Sequence, residues 1–212
     1  MATQQVADQR REKRRRAMLD AAEALFLENG YESTTLNDIV ARSGGSLATL
    51  YDLFGGKPGL LTAMVNERCA RIAEFINATQ LGNRKPADAL RAIARHLLDQ
   101  LNDEAGIALF RVVISEMPRL PELGHRFYEA GPATASRLMA RYLDDQAQAG
   151  TLEMDDPQEA AMLFIHMVIG DHHMRLLCGV PVRHDDSRLR HIDRAVEAFM
   201  SLHAKPQSNC SG

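Results

Sequence analysis

The chain has no tryptophan, 5% aromatic residues, three cysteines and no long apolar run, and each shortage narrows what it can be. Cys69, Cys178 and Cys210 are odd in number and far apart, which argues against a disulfide framework and predicts a reducing compartment. The longest nearly apolar stretch, AAMLFIHMVIG at 160–170, falls far short of the roughly 20 residues that cross a bilayer. The N-terminal residues are polar and then basic, without the apolar core of a secretory signal. The expectation is a cytoplasmic protein with no membrane span. Catalytic signatures are missing as well: there is no GxSxG, HExxH or CxxC. GGKPG at 55–59 fails as a phosphate loop, because its spacing is wrong and proline takes the Ser/Thr position. These absences argue against an enzyme and call for no cofactor.

What remains is a globular profile: 212 residues, 45% hydrophobic and 25% charged, with a net charge of −3, enough for one ordinary domain plus a small one. The near-neutral average hides a cluster. RREKRRR at 10–16 sets six basic side chains against the single Glu12. Two readings fit such a run, a solvated surface or a match to a phosphate backbone.

Apolar spacing is helical almost throughout, which predicts an all-α fold. A first helix is expected over about 9–28, with Leu19, Ala22, Leu25 and Phe26 on one stripe and Asn29-Gly30 as its stop. Thr35, with Asp38 three residues on, opens a second helix in the manner of a capping box, and Ile39 and Val40 supply its buried side. Ser43-Gly44-Gly45 then turns the chain into SLATLYDLFGGK at 46–57. Ser46 suits an N-cap and Gly55-Gly56 a stop, leaving about two turns between them. On a helical wheel Leu50, Leu53 and Phe54 fall together, while Ala48, Thr49, Tyr51 and Asp52 form the opposite arc, with Leu47 at the margin. A helix so short needs support from neighbours. Its outer face is small enough to approach another surface closely.

Lys57-Pro58 begins a connecting helix to about Thr79, with Leu61, Val65, Ile72 and Ile76 inward, and GNRKP at 82–86 is the candidate boundary. Beyond it, 86–101 is amphipathic through Leu90, Ile93, Leu97, Leu98 and Leu101. Further helices are expected at about 104–117, at 121–149 with a break or kink at Gly131-Pro132, at 157–178 after the Asp156 cap, and at 187–203. In the last, Leu189, Ile192, Val196, Phe199 and Met200 share one face. The tail KPQSNCSG has no periodicity. The count is about nine helices: three in an N-terminal helix-turn-helix head, a linking fourth, and about five behind it.

The stretch LDAAEALFLENGYESTTLNDIVARSGGSLATLYDLFGGKPGLL, ungapped across 19–61, resembles the DNA-binding domain of TetR-family transcriptional regulators. The likeness rests on Gly30-Tyr31, Thr34-Thr35, Asp38-Ile39, Gly44, Thr49-Leu50-Tyr51, Phe54 and Lys57. FRVVISEMPRLPELGHRFYEAGP also looks like the second domain of some efflux-linked members. The resemblance implies a homodimeric repressor with a basic arm and DNA-reading head over 1–56 (helix-turn-helix about 35–54), a connecting helix over 57–82, a ligand and dimer domain over 83–204, and a flexible tail over 205–212. It implies that the 46–54 helix enters the major groove, with Ser46, Leu47, Ala48, Thr49 and Tyr51 approaching double-stranded operator DNA. Ala48 and Thr49 suit a thymine methyl, and Tyr51 and Lys57 suit phosphate. Thr35 caps the second helix, Asn37 matches a base-reading position in some members, and Arg14, Arg15 and Arg16 would lie near the backbone or minor groove. Three positions depart from the pattern, Leu47, Asp52 and Gly45: Leu47 stands where a basic residue is common, and Asp52 where histidine is. Asp52 would repel phosphate unless it accepts a hydrogen bond from cytosine N4. Gly45 replaces an apolar turn residue, with a looser turn expected.

In the second domain, Met162 to Ile169 is apolar apart from His166 and needs cover on more than one side. With the final helix it can form half of a dimer bundle or close a monomeric core; the dimer reading takes Met162, His166, Ile169, His173, Ile192, Val196 and Phe199 as interface. GDHHM at 170–174 raises a metal site. However, neighbours on a helix diverge by about 100°, and residues seven apart lie roughly 10 Å apart along the axis, so packing is favoured over zinc and no metal is assigned. Leu101, Phe110, Met117, Phe127, Tyr128 and Met139 are the candidates for a permissive apolar pocket or for ordinary core. The expected function is a repressor released from its operator by a small apolar effector, controlling an efflux or detoxification gene. A metal-dependent helical hydrolase and a protein-only helical adaptor are the alternatives.

Overall fold

The computed structural model describes residues 2–80, 84–182 and 187–204; Gly82 and Asn83 of the expected boundary, Cys210 and the 205–212 tail lie outside them. The fold is all-α, with no strand among the described residues. Its elements are α1 (Ala2–Asn29), α2 (Leu36–Ser43), α3 (Leu47–Phe54), α4 (Lys57–Gln80), α5 (Pro86–Asn102), α6 (Glu104–Glu116), α7 (Pro121–Tyr128), α8 (Thr134–Gln148), α9 (Pro157–Leu177) and α10 (Ser187–His203). A π-helical turn, Glu129–Ala133, joins α7 to α8. Counting α7 to α8 as one interrupted rod gives nine helices among the described residues.

That turn is how the chain accommodates Gly131-Pro132. Proline lacks the N–H of a regular helix and its ring collides with the carbonyl four residues back, and widening the turn removes the conflict without ending the rod. Thr134 Oγ1 donates to the Glu129 carbonyl at 2.7 Å. α1 starts several residues earlier than expected, because no glycine or proline interrupts residues 2–29, so the basic run lies on a helix.

Contacts group the chain into two compact units: Met1–Arg68 with Ala108–Phe127, and Cys69–Ile107 with Tyr128–Gly212. This grouping divides α4 after Arg68 and takes Ala108–Phe127 with the N-terminal residues. The first unit is built on Met18, Leu19, Ala22, Leu25, Phe26, Ile39, Leu50, Leu60, Leu61 and Val65, all buried. The second buries Ile72, Ile76, Leu90, Ile93, Leu98, Met139, Leu143, Phe164, Val168, Ile192, Val196 and Phe199 in one cluster. Leu189 departs from the stripe expected of α10: it sits in the first turn and is exposed.

α9 is not one straight helix. Gly170 has φ 52° and ψ −154°, a conformation that L side chains avoid, and the helix breaks there. His191 of α10 occupies the space beside it: a Cβ on Gly170 would lie 3.0 Å from the His191 ring. His191 Nε2 donates to the Val168 carbonyl at 2.9 Å. Gly170→Ala therefore meets both backbone strain and a ring, and should lower stability by about 1–3 kcal/mol in chemical denaturation; an unchanged midpoint would mean the break is absent in solution.

Candidate nucleic-acid interface

The site is built on α1, α2 and α3 of the first unit. Thr34 ends the turn after α1, buried, with its hydroxyl donating to the Gly30 carbonyl at 2.8 Å. Thr35 caps α2. Its Oγ1 accepts from Asp38 N at 3.2 Å while its own amide donates to Asp38 Oδ2 at 2.8 Å, completing the expected capping box. The Thr35 hydroxyl also donates to Asp38 Oδ2 at 2.7 Å, and this side-chain bond first, then the backbone one, lowers the Asp38 pKa. Arg42 at the end of α2 grips Glu28 of α1 with two bonds of 2.7 Å. A bidentate pair fixes orientation even where exposure limits its energy.

α3 is closed at both ends. Ser46 Oγ accepts from Thr49 N at 3.2 Å and lies 2.8 Å from Thr49 Oγ1, and Gly55 takes the left-handed C-cap, φ 72°, with its amide donating to the Tyr51 carbonyl. Leu50 is fully buried, whereas Leu47 and Tyr51 are 37% and 55% exposed. Ser46, Ala48 and Asp52 are exposed too, and Thr49, Leu53 and Phe54 are half-buried. Of the outer arc drawn from the sequence, Ala48, Tyr51 and Asp52 are exposed, and Thr49 is half-buried against the Ser46 cap. Thr35 and Asn37 of α2 are also exposed.

Two glycines hold α3 in place by what they leave out. A Cβ on Gly59, in the first turn of α4, would fall 1.7 Å from the Phe54 carbonyl oxygen; only glycine lets α4 start so close to the end of α3. The sequence reading missed this residue, although its place inside GGKPG offered a signal. At Gly45 a Cβ would meet the Met18 methyl at 2.3 Å. Met18 is fully buried, so this turn is filled rather than loosened, which corrects the expectation for Gly45.

The cations divide into two sets. Arg15 Nη1 binds Glu67 Oε1 of α4 at 2.5 Å and Arg16 Nη1 binds Glu67 Oε2 at 2.8 Å. Arg15 also reaches Glu12 at 3.4 Å and Arg16 binds Asp20 at 3.0 Å, and Arg11 lies 3.7 Å from Asp52, which answers part of that carboxylate's charge. Arg10, Lys13 and Arg14 are exposed. No ion pair of theirs occurs among the described residues. Lys57 is half-buried: its ammonium stands 4.3 Å from the Tyr31 ring centroid and donates to the Glu32 carbonyl at 3.2 Å. Burial lowers its pKa, opposed by Glu32 and Glu116. Tyr31 is pushed up to about 12 by burial, then by Glu116 and Glu32.

The second unit brings some candidates together and separates others. Met139 is buried in its core and Leu101 packs against it, while Tyr128 is exposed. Phe110, Met117 and Phe127 belong to the first unit, where the Phe110 and Phe127 rings meet edge to face at 5.3 Å. The six pocket candidates are thus divided between the units. A cleft of about 410 Å³, lined by Phe75 and by one face of α5 from Asp88 to Asp99, includes none of them.

Of the interface candidates, Met162 and His166 are exposed and Ile169 is half-buried. His173, Ile192, Val196 and Phe199 are buried within the chain, and this is a correction: they face its own core rather than a partner. The break at Gly170 resets the phase of α9, so His166 and His173 no longer share a face, and the α10 stripe packs on α5 and α9. His173 Nδ1 lies 3.0 Å from Asn102 Oδ1, and His172 stacks on His191. Among the described residues no three His, Cys, Asp or Glu side chains are grouped to hold a metal ion.

Comparison with known proteins agrees with this geometry. The family model described as bacterial regulatory proteins of the tetR family matches residues 18–64, and that of the AefR-like transcriptional repressor C-terminal domain matches residues 88–205. The chain belongs to the TetR family. It is similar to a putative TetR-family transcriptional regulator from Mesorhizobium loti, with a TM-score of 0.83 and 26% identity over 92% of this chain and 98% of that one. It is also similar to SmeT, the repressor of the Stenotrophomonas maltophilia multidrug efflux pump SmeDEF, with a TM-score of 0.66 and 28% identity over 91% of each chain. The uncharacterized regulator YvkB of Bacillus subtilis is 25% identical over 76% of this chain and 82% of its own. As a TetR-family member the chain is a helix-turn-helix, DNA-binding transcriptional regulator, not an enzyme, and no helix among the described residues is long and apolar enough to cross a membrane.

The two close glycines make a paired test. Gly45→Ala meets the flexible end of Met18 and should cost about 1 kcal/mol, whereas Gly59→Ala meets a backbone carbonyl and should cost roughly 3 kcal/mol or more. Denaturant unfolding of both variants checks the order; equal losses would mean α4 does not cross α3 so closely.

Proposed function

We propose that the chain is a cytoplasmic repressor, homodimeric and released from its operator by a small apolar effector, and that it controls an efflux or detoxification gene. The observation that carries the proposal is α3: a two-turn helix, capped at both ends and anchored by Leu50, whose outer arc is shallow and, Thr49 aside, exposed. In this reading Ser46, Leu47, Ala48, Thr49 and Tyr51 enter the major groove, Thr35 and Asn37 approach from α2, and Lys57 with Arg14, Arg15 and Arg16 answers phosphate. Two heads about 34 Å apart then meet successive half-sites. Exposed Met162 and Leu163 on α9 supply apolar surface for a second copy. The similarity to SmeT, a repressor of a multidrug efflux pump, supports the efflux role and an apolar effector. An effector coupled to the heads by about 1–3 kcal/mol would change DNA affinity roughly 5–150-fold.

A gel shift with fragments of the genome, run at several salt concentrations, tests the assignment of residues. The wild type should bind one fragment selectively and lose affinity steeply with salt, and Tyr51→Ala combined with Lys57→Ala should weaken binding about tenfold or more. A double variant that binds like the wild type would overturn the site.

A further inference from the structure

Half of the basic run is already holding an anion. Glu67 uses one carboxylate oxygen for Arg15 and the other for Arg16, the arrangement by which neighbouring guanidiniums share a phosphate. Glu67 is 21% exposed and Arg15 28%, so water screens this pair less than it screens a surface pair. Arg15 is steadied further, its guanidinium 6.0 Å from the Phe54 ring centroid. One turn earlier on the same face of α1, Arg11 lies beside Asp52 of α3. Arg11 and Arg15 therefore flank α3, while Arg10, Lys13 and Arg14 remain exposed.

We propose that Glu67 is an internal substitute for DNA phosphate: it occupies Arg15 and Arg16 in the unbound protein and competes with the phosphate backbone for them. The idea rests on the reading that this run faces DNA. Glu67 then acts as a restraint on affinity, and DNA takes the two arginines only by displacing a carboxylate that belongs to α4. A purely structural clamp between α1 and α4 predicts the opposite, because weakening it would loosen the head and lower affinity.

Glu67→Gln separates the two. It keeps the length and one acceptor oxygen of the side chain and removes its charge. Binding to a labelled random-sequence duplex of about 40 base pairs needs no knowledge of the operator, since non-specific affinity is set by phosphate contacts. Fluorescence anisotropy of the full chain over a salt series should show Glu67→Gln binding roughly 3–10-fold tighter at about 0.1 M salt. Its slope of log affinity on log salt should steepen by about 1, less than two full steps of about 0.9 because Glu12 still reaches Arg15 and Asp20 still holds Arg16. Adding Arg15→Ala and Arg16→Ala should erase that gain. Affinity and slope equal to or below the wild type, in a variant with a native circular dichroism melt, would overturn the proposal. If Glu67→Gln does not fold, Glu67→Asp decides: its shorter reach relaxes the grip, so tighter binding supports the proposal and equal or weaker binding overturns it. A wild type that binds no duplex removes the functional reading as well, whereas a binding wild type with no gain in the variants removes this inference alone.

Discussion

Everything at the DNA-reading end depends on bracing a helix that cannot stand alone. α3 has eight residues, too few to be stable in water by its own hydrogen bonds. Leu50 anchors it in the core, Ser46 and Gly55 satisfy its ends, and Gly59 allows α4 to begin against the Phe54 carbonyl. With its inner side and both ends committed to the fold, the outer arc is free to be small and polar. A rigid, shallow surface is what groove entry requires, because each misplaced contact with a base edge forfeits discrimination.

Charge obeys a second constraint. Six cations close together on one helix repel one another, and the fold answers with carboxylates on other elements, Glu67 on α4 and Asp52 on α3, besides Glu12 and Asp20 on α1 itself. Salt bridges of this exposure add little stability; in the proposed reading their role is to set which guanidiniums an incoming anion can take. The near-neutral net charge of the chain is thus matched by local pairing at the basic run itself.

Much of this was legible in the sequence, because caps and helical periodicity are local signals. The Thr35 box, the Ser46 cap, the buried Leu50 and the outer arc of α3 follow from residues within four positions of one another. Features that depend on distant neighbours were not legible. Gly45 looked like slack until Met18 filled it, and Gly170 looked like an ordinary helix residue until its positive φ and the His191 ring explained it. That break undid the assignment of His173 to an interface, since a helical wheel cannot be carried across a change of phase. Ile192, Val196 and Phe199 form a correct stripe, but a stripe does not say whether it faces the chain's own core or a partner. The pairing of Arg15 and Arg16 with a residue some fifty positions away leaves no trace in spacing at all.

The central claim is that the outer arc of α3 lies in the major groove. Protection of guanine N7 from methylation tests it most directly, because that atom is exposed only in the major groove. On a selectively bound fragment the account predicts two protected tracts about one helical turn apart. Guanine N7 atoms that stay fully reactive throughout a saturated complex would contradict it.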